Sequence, residues 1–347
     1  MRVGLLTGGG DAPGLNAVIR ACVKTLKNCE EDVVVYGFRD GFKGLVTKNY
    51  FELYEGSASG ILHLGGTILG TTNRDNPFAF NENGIISDKS GVVLEVYKDL
   101  NLDCLVVIGG DGTLRIAHEL SQLGINVIGV PKTIDNDLVL TDMTFGFMSA
   151  VAVATDALDR LHTTAESHHR ISILETMGRD AGWIALYAGV AGGADVILIP
   201  EIPYNLASIC KKIENRRHQG KKFSLIIMAE GAVEQNVSQQ AEKGKRGFLL
   251  QEDLEREGIE TRCTVLGHLQ RGGSPVSYDR IIATEYGFEA AKLVLKKDYN
   301  RMVSLKGSEI ISVPLEKVSG VTKQVPLDHN LILASRSLGI SFGDEVL

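Results

Sequence analysis

The chain has 347 residues, and its 36 Lys and Arg against 43 Asp and Glu give a formal net charge of -7. At roughly 150 residues per domain, this length predicts about two compact domains. The acidic balance argues against a protein that coats nucleic acid. A content of 44% hydrophobic and 23% charged residues is typical of globular proteins and excludes global disorder.

The cysteines and the N-terminal sequence bear on location. The cysteines are odd in number, scattered and never spaced as C-x-x-C, which predicts neither a disulfide framework nor a zinc site. They are Cys22, Cys29, Cys104, Cys210 and Cys263. No apolar run reaches membrane-spanning length, and the N-terminus lacks a long apolar region with a cleavage site. We therefore expect a cytoplasmic protein with no membrane partner.

Short apolar runs bounded by glycine recur along the chain. Near-continuous hydrophobic strands of this kind are typical of parallel sheets that are covered on both faces. The predicted strands are Val3–Leu6, Val33–Tyr36, Cys104–Ile108, Asn126–Val130, Ile171–Leu174, Asp195–Ile199 and Ser224–Met228.

Helical patterns lie between these runs. Apolar residues recur at intervals of three or four in Leu114–Leu120 and in Ala150–Leu161. Strand and helix alternate, which predicts an α/β doubly wound fold with mostly parallel sheets, and the runs before and after residue 150 suggest two similar halves. The stretch 232–262 is rich in Gln, Glu, Lys and Gly and predicts a solvated loop without chemistry.

The first glycine turn, Gly8–Gly14, follows the first predicted strand and precedes a helix. Backbone N–H groups at a helix start attract phosphate oxygens, so we interpret the turn as an anion cradle. It has neither the Lys-Ser/Thr of a Walker A loop nor the G-x-G-x-x-G spacing. A merely tight strand-to-helix turn is the alternative.

A second glycine turn, Gly109–Thr113, adds the carboxylate of Asp111. This arrangement suits a hydrated Mg²⁺ that bridges phosphates. The alternative is that Asp111 caps a helix that begins near Thr113.

The segment Thr133–Asp137 places a hydroxyl and two carboxylates at a strand end. Such groups are costly there unless they are used or solvated. In an extended backbone Asp135 and Asp137 point the same way, so one could accept a hydroxyl proton while the other holds a metal or orients its neighbour. A plain acidic turn is the alternative. Ligands of open α/β sheets bind at the carboxyl ends of strands, which predicts one shared crevice for the three motifs.

Basic residues follow in the second half of the chain. Arginine binds phosphate oxygens bidentately through its planar fork, so several arginines near small residues favour phosphate recognition. Scattered surface salt bridges are the alternative. The basic residues are His168, His169, Arg170, Arg179, Arg262, His268 and Arg271.

Taken together, these motifs resemble those of the 6-phosphofructokinase family over nearly the whole chain. The matching motifs are Thr7–Asn16, Gly66–Gly70, Gly109–Thr113, Pro131–Asp137, Met177–Arg179 and Leu266–Gly273. The resemblance implies phosphorylation of fructose 6-phosphate at its 1-hydroxyl, with Mg²⁺ as cofactor. It implies two Rossmann-like domains with the active site in the cleft between them. Residues 1–146 plus 270–320 would bind the nucleotide, and 147–269 plus 321–347 the sugar.

The resemblance also implies roles for matching residues. Asp135 would be the general base, with Thr133 and Asp137 beside it, and Arg179 would stabilise the transferring phosphoryl. The implied donor and metal residues are Gly9, Gly10, Arg74, Gly110, Asp111, Gly112 and Thr113, with Asp111 on Mg²⁺ and the Gly9 amide on the phosphoryl. Implied sugar contacts are Met177, Gly178 and Glu230, and implied 6-phosphate ligands are Arg170, Arg262, His268 and Arg271. Arg170 and Arg262 would complete a neighbouring subunit's site in a homo-oligomer, usually a tetramer.

Two positions bear on the phosphoryl donor, which in this family is ATP or pyrophosphate. Gly112 matches the ATP-dependent members, because pyrophosphate enzymes typically carry Asp there. Lys132, a further catalytic candidate, matches the pyrophosphate enzymes, where its ammonium would help to bind the smaller donor. An Asp would crowd and repel ATP, whereas a Lys repels no phosphate, so the sequence favours ATP. Pyrophosphate-dependent transfer is the alternative, and a non-catalytic nucleotide or sugar-phosphate sensor is the second.

Overall fold

The computed structural model describes residues 1–30, 32–235, 244–318 and 320–345. Its strands are β1 (Arg2–Thr7), β2 (Val34–Phe38), β3 (Tyr50–Leu53), β4 (Phe80–Glu82), β5 (Ile85–Ser87), β6 (Cys104–Gly109), β7 (Val127–Pro131), β8 (Ile171–Thr176), β9 (Val196–Leu198), β10 (Ser224–Ala229), β11 (Thr261–Val265), β12 (Arg301–Lys306) and β13 (Glu309–Pro314). Its α-helices are α1 (Leu15–Cys29), α2 (Phe42–Val46), α3 (Ser90–Asp99), α4 (Asp111–Gln122), α5 (Phe147–His168), α6 (Trp183–Ala191), α7 (Leu206–His218), α8 (Arg246–Arg256), α9 (Ser277–Lys296) and α10 (Asn330–Ser337). None of the helices in the described ranges combines the length and apolar character that a membrane crossing needs.

The chain divides into two compact units. The first unit consists of Met1–Thr133, Leu138–Met148 and Arg271–Val321. The second unit consists of Ile134–Asp137, Ser149–Gln270 and Thr322–Leu347. The chain therefore passes from the first unit to the second within the Thr133–Asp137 motif.

The first unit is built on a seven-stranded sheet with the order β13-β12-β7-β6-β1-β2-β3. Its inner pairs are parallel, and only the outer pairs β12–β13 and β2–β3 are antiparallel. The central strands are buried along their length, as expected for a sheet with helices on both faces. Helices α1 and α9 pack closely at Gly287, where a Cβ would lie 2.5 Å from the carbonyl oxygen of Val18.

The second unit has a four-stranded, all-parallel sheet with the order β11-β8-β10-β9. Its core includes Leu250 and Leu254, which lie four residues apart on one face of α8. The prediction of a solvated loop over 232–262 is therefore wrong for α8 and β11, and residues 236–243 of that stretch lie outside the described residues. Leu250 and Leu254, at helical spacing, suffice to bury one face of a helix although the residues around them are mostly polar.

The fold class predicted from the sequence is confirmed. Each predicted apolar run contributes a strand to one of the two mostly parallel sheets, and the two periodic segments form α4 and α5.

Candidate active site

The carboxyl ends of three adjacent strands bring two glycine turns and a lysine together in the first unit. Strands β7, β6 and β1 are neighbours and run parallel, so the turns after them leave the same edge of the sheet. Thr113 packs against both glycine turns, since a Cβ at Gly8 would lie 2.6 Å from its Cγ2 and one at Gly109 only 2.3 Å. Lys132 follows β7 and donates its backbone N–H to the Gly109 carbonyl at 3.0 Å.

The second glycine turn opens directly into helix α4. Gly110 is the N-cap and Asp111 is the first helical residue, and no side chain in the described ranges caps this helix. The alternative that Asp111 caps a helix near Thr113 is therefore wrong. The Oδ1 atom of Asp111 accepts a hydrogen bond from the Gly320 amide at 2.9 Å. A Cβ at Gly112 would meet no atom of the described residues within 4 Å, so the space in front of this turn is open with respect to them.

The first glycine turn is held by hydrogen bonds to the loop after Gly70. Gly9 has a φ of 78°, a left-handed value that glycine adopts without steric cost. Its amide donates to the Thr72 carbonyl at 3.0 Å, and its carbonyl accepts from Thr71 Oγ1 at 2.6 Å. The amide that the resemblance assigns to a phosphoryl group thus bonds Thr72 here. Arg74 in the same loop is exposed.

Two polar residues of the first motif have structural partners. Thr7 donates from Oγ1 to the Gly70 carbonyl at 2.7 Å. Asn16 donates from Nδ2 to the Leu64 carbonyl at 3.1 Å and accepts from the Ile68 amide at 2.8 Å. Both side chains are buried, so they fix the Gly66–Gly70 loop against the glycine turn.

Two cations flank Gly10. Lys132 is 5% exposed, and its Nζ donates to the Gly10 carbonyl at 2.5 Å. The guanidinium of Arg271 lies against Gly10 so closely that a Cβ there would stand 2.1 Å from Nη1. The Arg271 Nε is buried with no hydrogen-bond partner among the described residues. Two buried or half-buried cations beside a glycine turn make a favourable place for an anion.

The Thr133–Asp137 segment is buried but not extended. The exposed fraction is 8% for Thr133, 4% for Asp135 and 5% for Asp137. Asn136 has a φ of 51°, so its backbone is left-handed, and the extended backbone from which we inferred that the two aspartates point the same way is not present. Asparagine is among the few residues that tolerate this conformation. The Thr133 carbonyl accepts from Thr144 Oγ1 at 2.7 Å.

Arg179 lies beside Asp137 in the second unit. Its Nη1 is 3.8 Å from Asp137 Oδ2, with the arginine side chain 58% exposed and the aspartate 6% exposed. Its amide donates to Glu230 Oε1 at 2.9 Å, and a Cβ at Gly231 would lie 2.3 Å from its carbonyl oxygen. Glu230, which the resemblance assigns to the sugar, therefore holds the backbone of Arg179, whose guanidinium stays accessible to solvent.

The residues just before Arg179 are constrained by the backbone. The Met177 amide donates to Gln270 Oε1 at 2.8 Å. Gly178 has a φ of 145°, and a Cβ there would lie 2.6 Å from the Ala181 carbonyl oxygen, so this position requires glycine. His268 is exposed in the 3₁₀ turn before Gln270.

Arg170 and Arg262 converge on one acidic residue that sequence reasoning missed. Arg170 Nε is 2.7 Å from Glu260 Oε1, and Arg262 Nη2 is 3.5 Å from the same oxygen. Arg262 also meets Glu255 at 3.3 Å. Glu260 lies two residues before Arg262 and carries no motif of its own, so the sequence offered no signal for it.

The carboxyl groups of half-buried Glu201 and buried Glu175 support the site loops of the second unit. Glu201 Oε1 accepts from the amides of Gly182 at 3.0 Å and Val325 at 2.8 Å. Glu175 accepts from the Gly247 amide at 2.7 Å. Burial raises the pKa of both Glu201 and Glu175, because the charged form loses hydration.

The fold and these loops define an α/β protein with glycine turns and cations suited to phosphate groups. A family model described as Phosphofructokinase matches residues 2–294. The protein named ATP-dependent 6-phosphofructokinase 3 from Bacteroides thetaiotaomicron is 48% identical over 345 residues, which span 99% of this chain and 100% of that protein. An ATP-dependent 6-phosphofructokinase from Chloroflexus aurantiacus is 50% identical over 353 residues, spanning 99% of this chain and 98% of that protein. The chain belongs to the phosphofructokinase family.

Solved structures agree with this assignment. The T-state phosphofructokinase of Pichia pastoris superposes with a TM-score of 0.82 at 30% identity, covering 91% of this chain, and this chain spans 35% of that longer one. A pyrophosphate-dependent phosphofructokinase from Marinobacter aquaeolei superposes with a TM-score of 0.82 at 22% identity, covering 98% of this chain and 92% of that one. The second match bears on the fold alone.

Proposed function

We propose that this protein is an ATP-dependent 6-phosphofructokinase, which transfers the γ-phosphoryl of ATP to the 1-hydroxyl of fructose 6-phosphate and yields fructose 1,6-bisphosphate in glycolysis. One observation carries the proposal: buried Asp137, two residues after buried Asp135, lies 3.8 Å from an accessible arginine, Arg179, in a chain about half identical to proteins named for this activity. A carboxylate and an accessible cation are what proton removal and charge stabilisation in phosphoryl transfer require.

The first unit is proposed to hold the donor. The turn at Gly8–Gly10 and the cation Lys132 would bind phosphate oxygens, and the open space at Gly112 would accommodate a nucleotide. The Gly9 amide would exchange its bond to Thr72 for one to the transferred phosphoryl. Arg74, Gly110 and Thr113 complete the proposed donor residues.

Asp111 is the proposed ligand of Mg²⁺. It offers a single carboxylate at the start of α4, and this donor fits the ion, because Mg²⁺ is usually held by one or two carboxylates together with substrate phosphates. When bound, Mg²⁺ neutralises charge on the phosphates of the donor.

The second unit, with Thr133, is proposed to hold and activate the acceptor. Asp135 accepts the proton of the sugar 1-hydroxyl as that oxygen attacks phosphorus, and the bond from phosphorus to the bridging oxygen of ATP breaks. Thr133 and Asp137 orient the reacting groups, and Arg179 moves its guanidinium to the equatorial oxygens of the phosphoryl. The bond from Glu230 to the Arg179 amide fixes the backbone from which that side chain moves.

Binding of the sugar phosphate completes the proposal. Met177, Gly178 and Glu230 would contact the sugar, and His268 and Arg271 its 6-phosphate. Arg170 and Arg262 would bind the 6-phosphate in a neighbouring subunit, so the active form would be a homo-oligomer, with a tetramer expected. We place this enzyme in the cytoplasm.

An assay with two donors tests the proposed function. Fructose 6-phosphate and Mg²⁺ are incubated with ATP or with pyrophosphate, and fructose 1,6-bisphosphate is measured through coupled aldolase. We expect turnover with ATP to far exceed turnover with pyrophosphate. Equal or greater turnover with pyrophosphate would overturn the assignment of ATP as the donor. No turnover with either donor would favour the alternative of a non-catalytic sensor.

A further inference from the structure

Lys323 binds the loop that carries the two buried aspartates, although 187 residues separate it from Asn136. Its backbone amide donates to the Asp137 carbonyl at 2.8 Å. Its Nζ donates to Asn136 Oδ1 at 3.1 Å. One residue of the C-terminal segment therefore bonds two consecutive residues of the Thr133–Asp137 motif, once through its backbone and once through its side chain.

The segment around Lys323 is itself anchored next to the Arg179 loop. Trp183, the only tryptophan of the chain, donates from Nε1 to the Lys323 carbonyl at 2.9 Å. The Lys323 ammonium lies 5.4 Å from the centroid of the same indole ring, within the range of a cation–π contact. Two residues further on, the Val325 amide donates to Glu201, which also accepts from Gly182. The backbone of this segment is therefore held by hydrogen bonds of its own, apart from the bond that the Lys323 ammonium donates to Asn136.

The conformation of Asn136 explains why such a bond matters. Its φ of 51° is uncommon even though asparagine tolerates it better than most residues, and such conformations persist when the surrounding structure fixes them. Asn136 stands between Asp135 and Asp137, so its backbone angles set the directions in which the two flanking carboxylates leave the chain. A change at Asn136 would redirect both.

We propose that Lys323 is a positioning residue for this reaction. Its ammonium holds the Asn136 amide, maintains the left-handed turn and so aims Asp135 and Asp137. The part of this inference that concerns catalysis rests on the proposed function. Because Lys323 acts on geometry and not on substrate affinity, its loss should lower kcat and leave the KM for fructose 6-phosphate nearly unchanged.

Three variants test the inference. Lys323→Met removes the ammonium and keeps a side chain of similar length, whereas Lys323→Arg keeps a cation and a hydrogen-bond donor. Gln324→Ala changes the exposed neighbouring residue and is the control. We expect a fall in kcat of about 10-fold or more in Lys323→Met, with KM changed less than about 3-fold, since small misplacements cost up to about 100-fold. Lys323→Arg should recover most of the rate, and Gln324→Ala should match the wild type.

A second measurement is independent of activity. Amide hydrogen exchange over Ile134–Leu138 should be faster in Lys323→Met than in Gln324→Ala, and the fluorescence of Trp183 should change in the first variant alone. A kcat of Lys323→Met within twofold of wild type, no recovery in Lys323→Arg, or unchanged exchange would overturn the inference. If the wild type does not phosphorylate fructose 6-phosphate, the proposed function fails, and exchange alone then decides whether Lys323 orders the loop.

Discussion

The ammonium of Lys132 donates a hydrogen bond to the carbonyl oxygen of Gly10, with 2.5 Å between the two atoms. This buried cation therefore stands on the glycine turn that we propose for the donor phosphates. A lysine at this position belongs to the pyrophosphate side of the family resemblance, yet relatives about half identical to this chain are named ATP-dependent. The lack of a side chain at Gly112, where a Cβ would meet none of the described atoms within 4 Å, favours ATP more strongly than the Lys132 ammonium favours pyrophosphate.

Removal of the Lys132 ammonium should weaken the use of ATP and leave the binding of fructose 6-phosphate unchanged. Charge-assisted hydrogen bonds contribute about 1.5–3 kcal/mol, so we expect Lys132→Met to lower kcat/KM for ATP by about 10- to 100-fold. The KM for fructose 6-phosphate should change little. Steady-state kinetics with each substrate varied would show this, and Lys98→Met, which removes an exposed lysine on α3, is the control. A larger effect on the sugar than on ATP would contradict the assignment.

Glu260 should compete with the sugar phosphate for two arginines. Its carboxylate pairs with Arg170 and Arg262, and a phosphate that binds them must break these contacts. Exposed ion pairs contribute about 0–1 kcal/mol, so we expect Glu260→Gln to lower the KM for fructose 6-phosphate by up to about 5-fold. Glu252→Gln, on the exposed face of α8, should have no effect. A raised KM in Glu260→Gln would mean that this carboxylate assists binding instead.

Asp135→Asn should abolish most turnover and preserve binding. A positioned general base contributes about 100- to 10,000-fold, and the amide keeps the shape of the carboxylate while losing its basicity. Rapid-quench kinetics would measure the rate, and calorimetry would measure the affinities for both substrates. Asp142→Asn is the control, because that carboxylate pairs with exposed Lys306. Turnover near that of the wild type would remove Asp135 from the mechanism.

Glu201 should make stability fall as the pH rises. Burial raises its pKa above the ordinary 4.5, so between 4.5 and the raised value the folded state holds more protons than the unfolded state, and a higher pH favours unfolding. Glu201→Gln removes this ionisation and retains an acceptor for Gly182 and Val325. Urea unfolding at several pH values should show the variant gaining stability relative to the wild type as the pH rises above 4.5. A difference that does not change with pH would contradict this account.

The parts of the fold that the sequence predicted are those with an unambiguous pattern. Runs such as Cys104–Ile108 are apolar throughout because they lie in the middle of a parallel sheet, buried on both faces. Strands β12 and β13 were missed because they form an antiparallel pair at the edge of the sheet, where polar residues such as Arg301 and Glu309 are tolerated. Glycine motifs were recognised because turns restrict the choice of residue.

The contacts that assemble the site were harder to predict. Nothing in the sequence near Lys323 indicates that it bonds Asn136, since the contact depends on how the C-terminal segment folds back within the second unit. The left-handed Asn136 was also not foreseen, because an extended backbone was expected there. Residue types and their order along the chain suffice for the motifs, whereas partners that are distant in sequence depend on the packing of the whole unit.

The most direct test of the central claim follows the phosphoryl group itself. Wild-type protein is mixed with fructose 6-phosphate, ATP and Mg²⁺, and ³¹P nuclear magnetic resonance records the phosphorus signals over time. We expect the γ-phosphate signal of ATP to be replaced, one for one, by that of a new phosphomonoester on carbon 1 of the sugar. Release of free phosphate without the new ester, or faster formation of the ester in a parallel sample with pyrophosphate in place of ATP, would contradict the account.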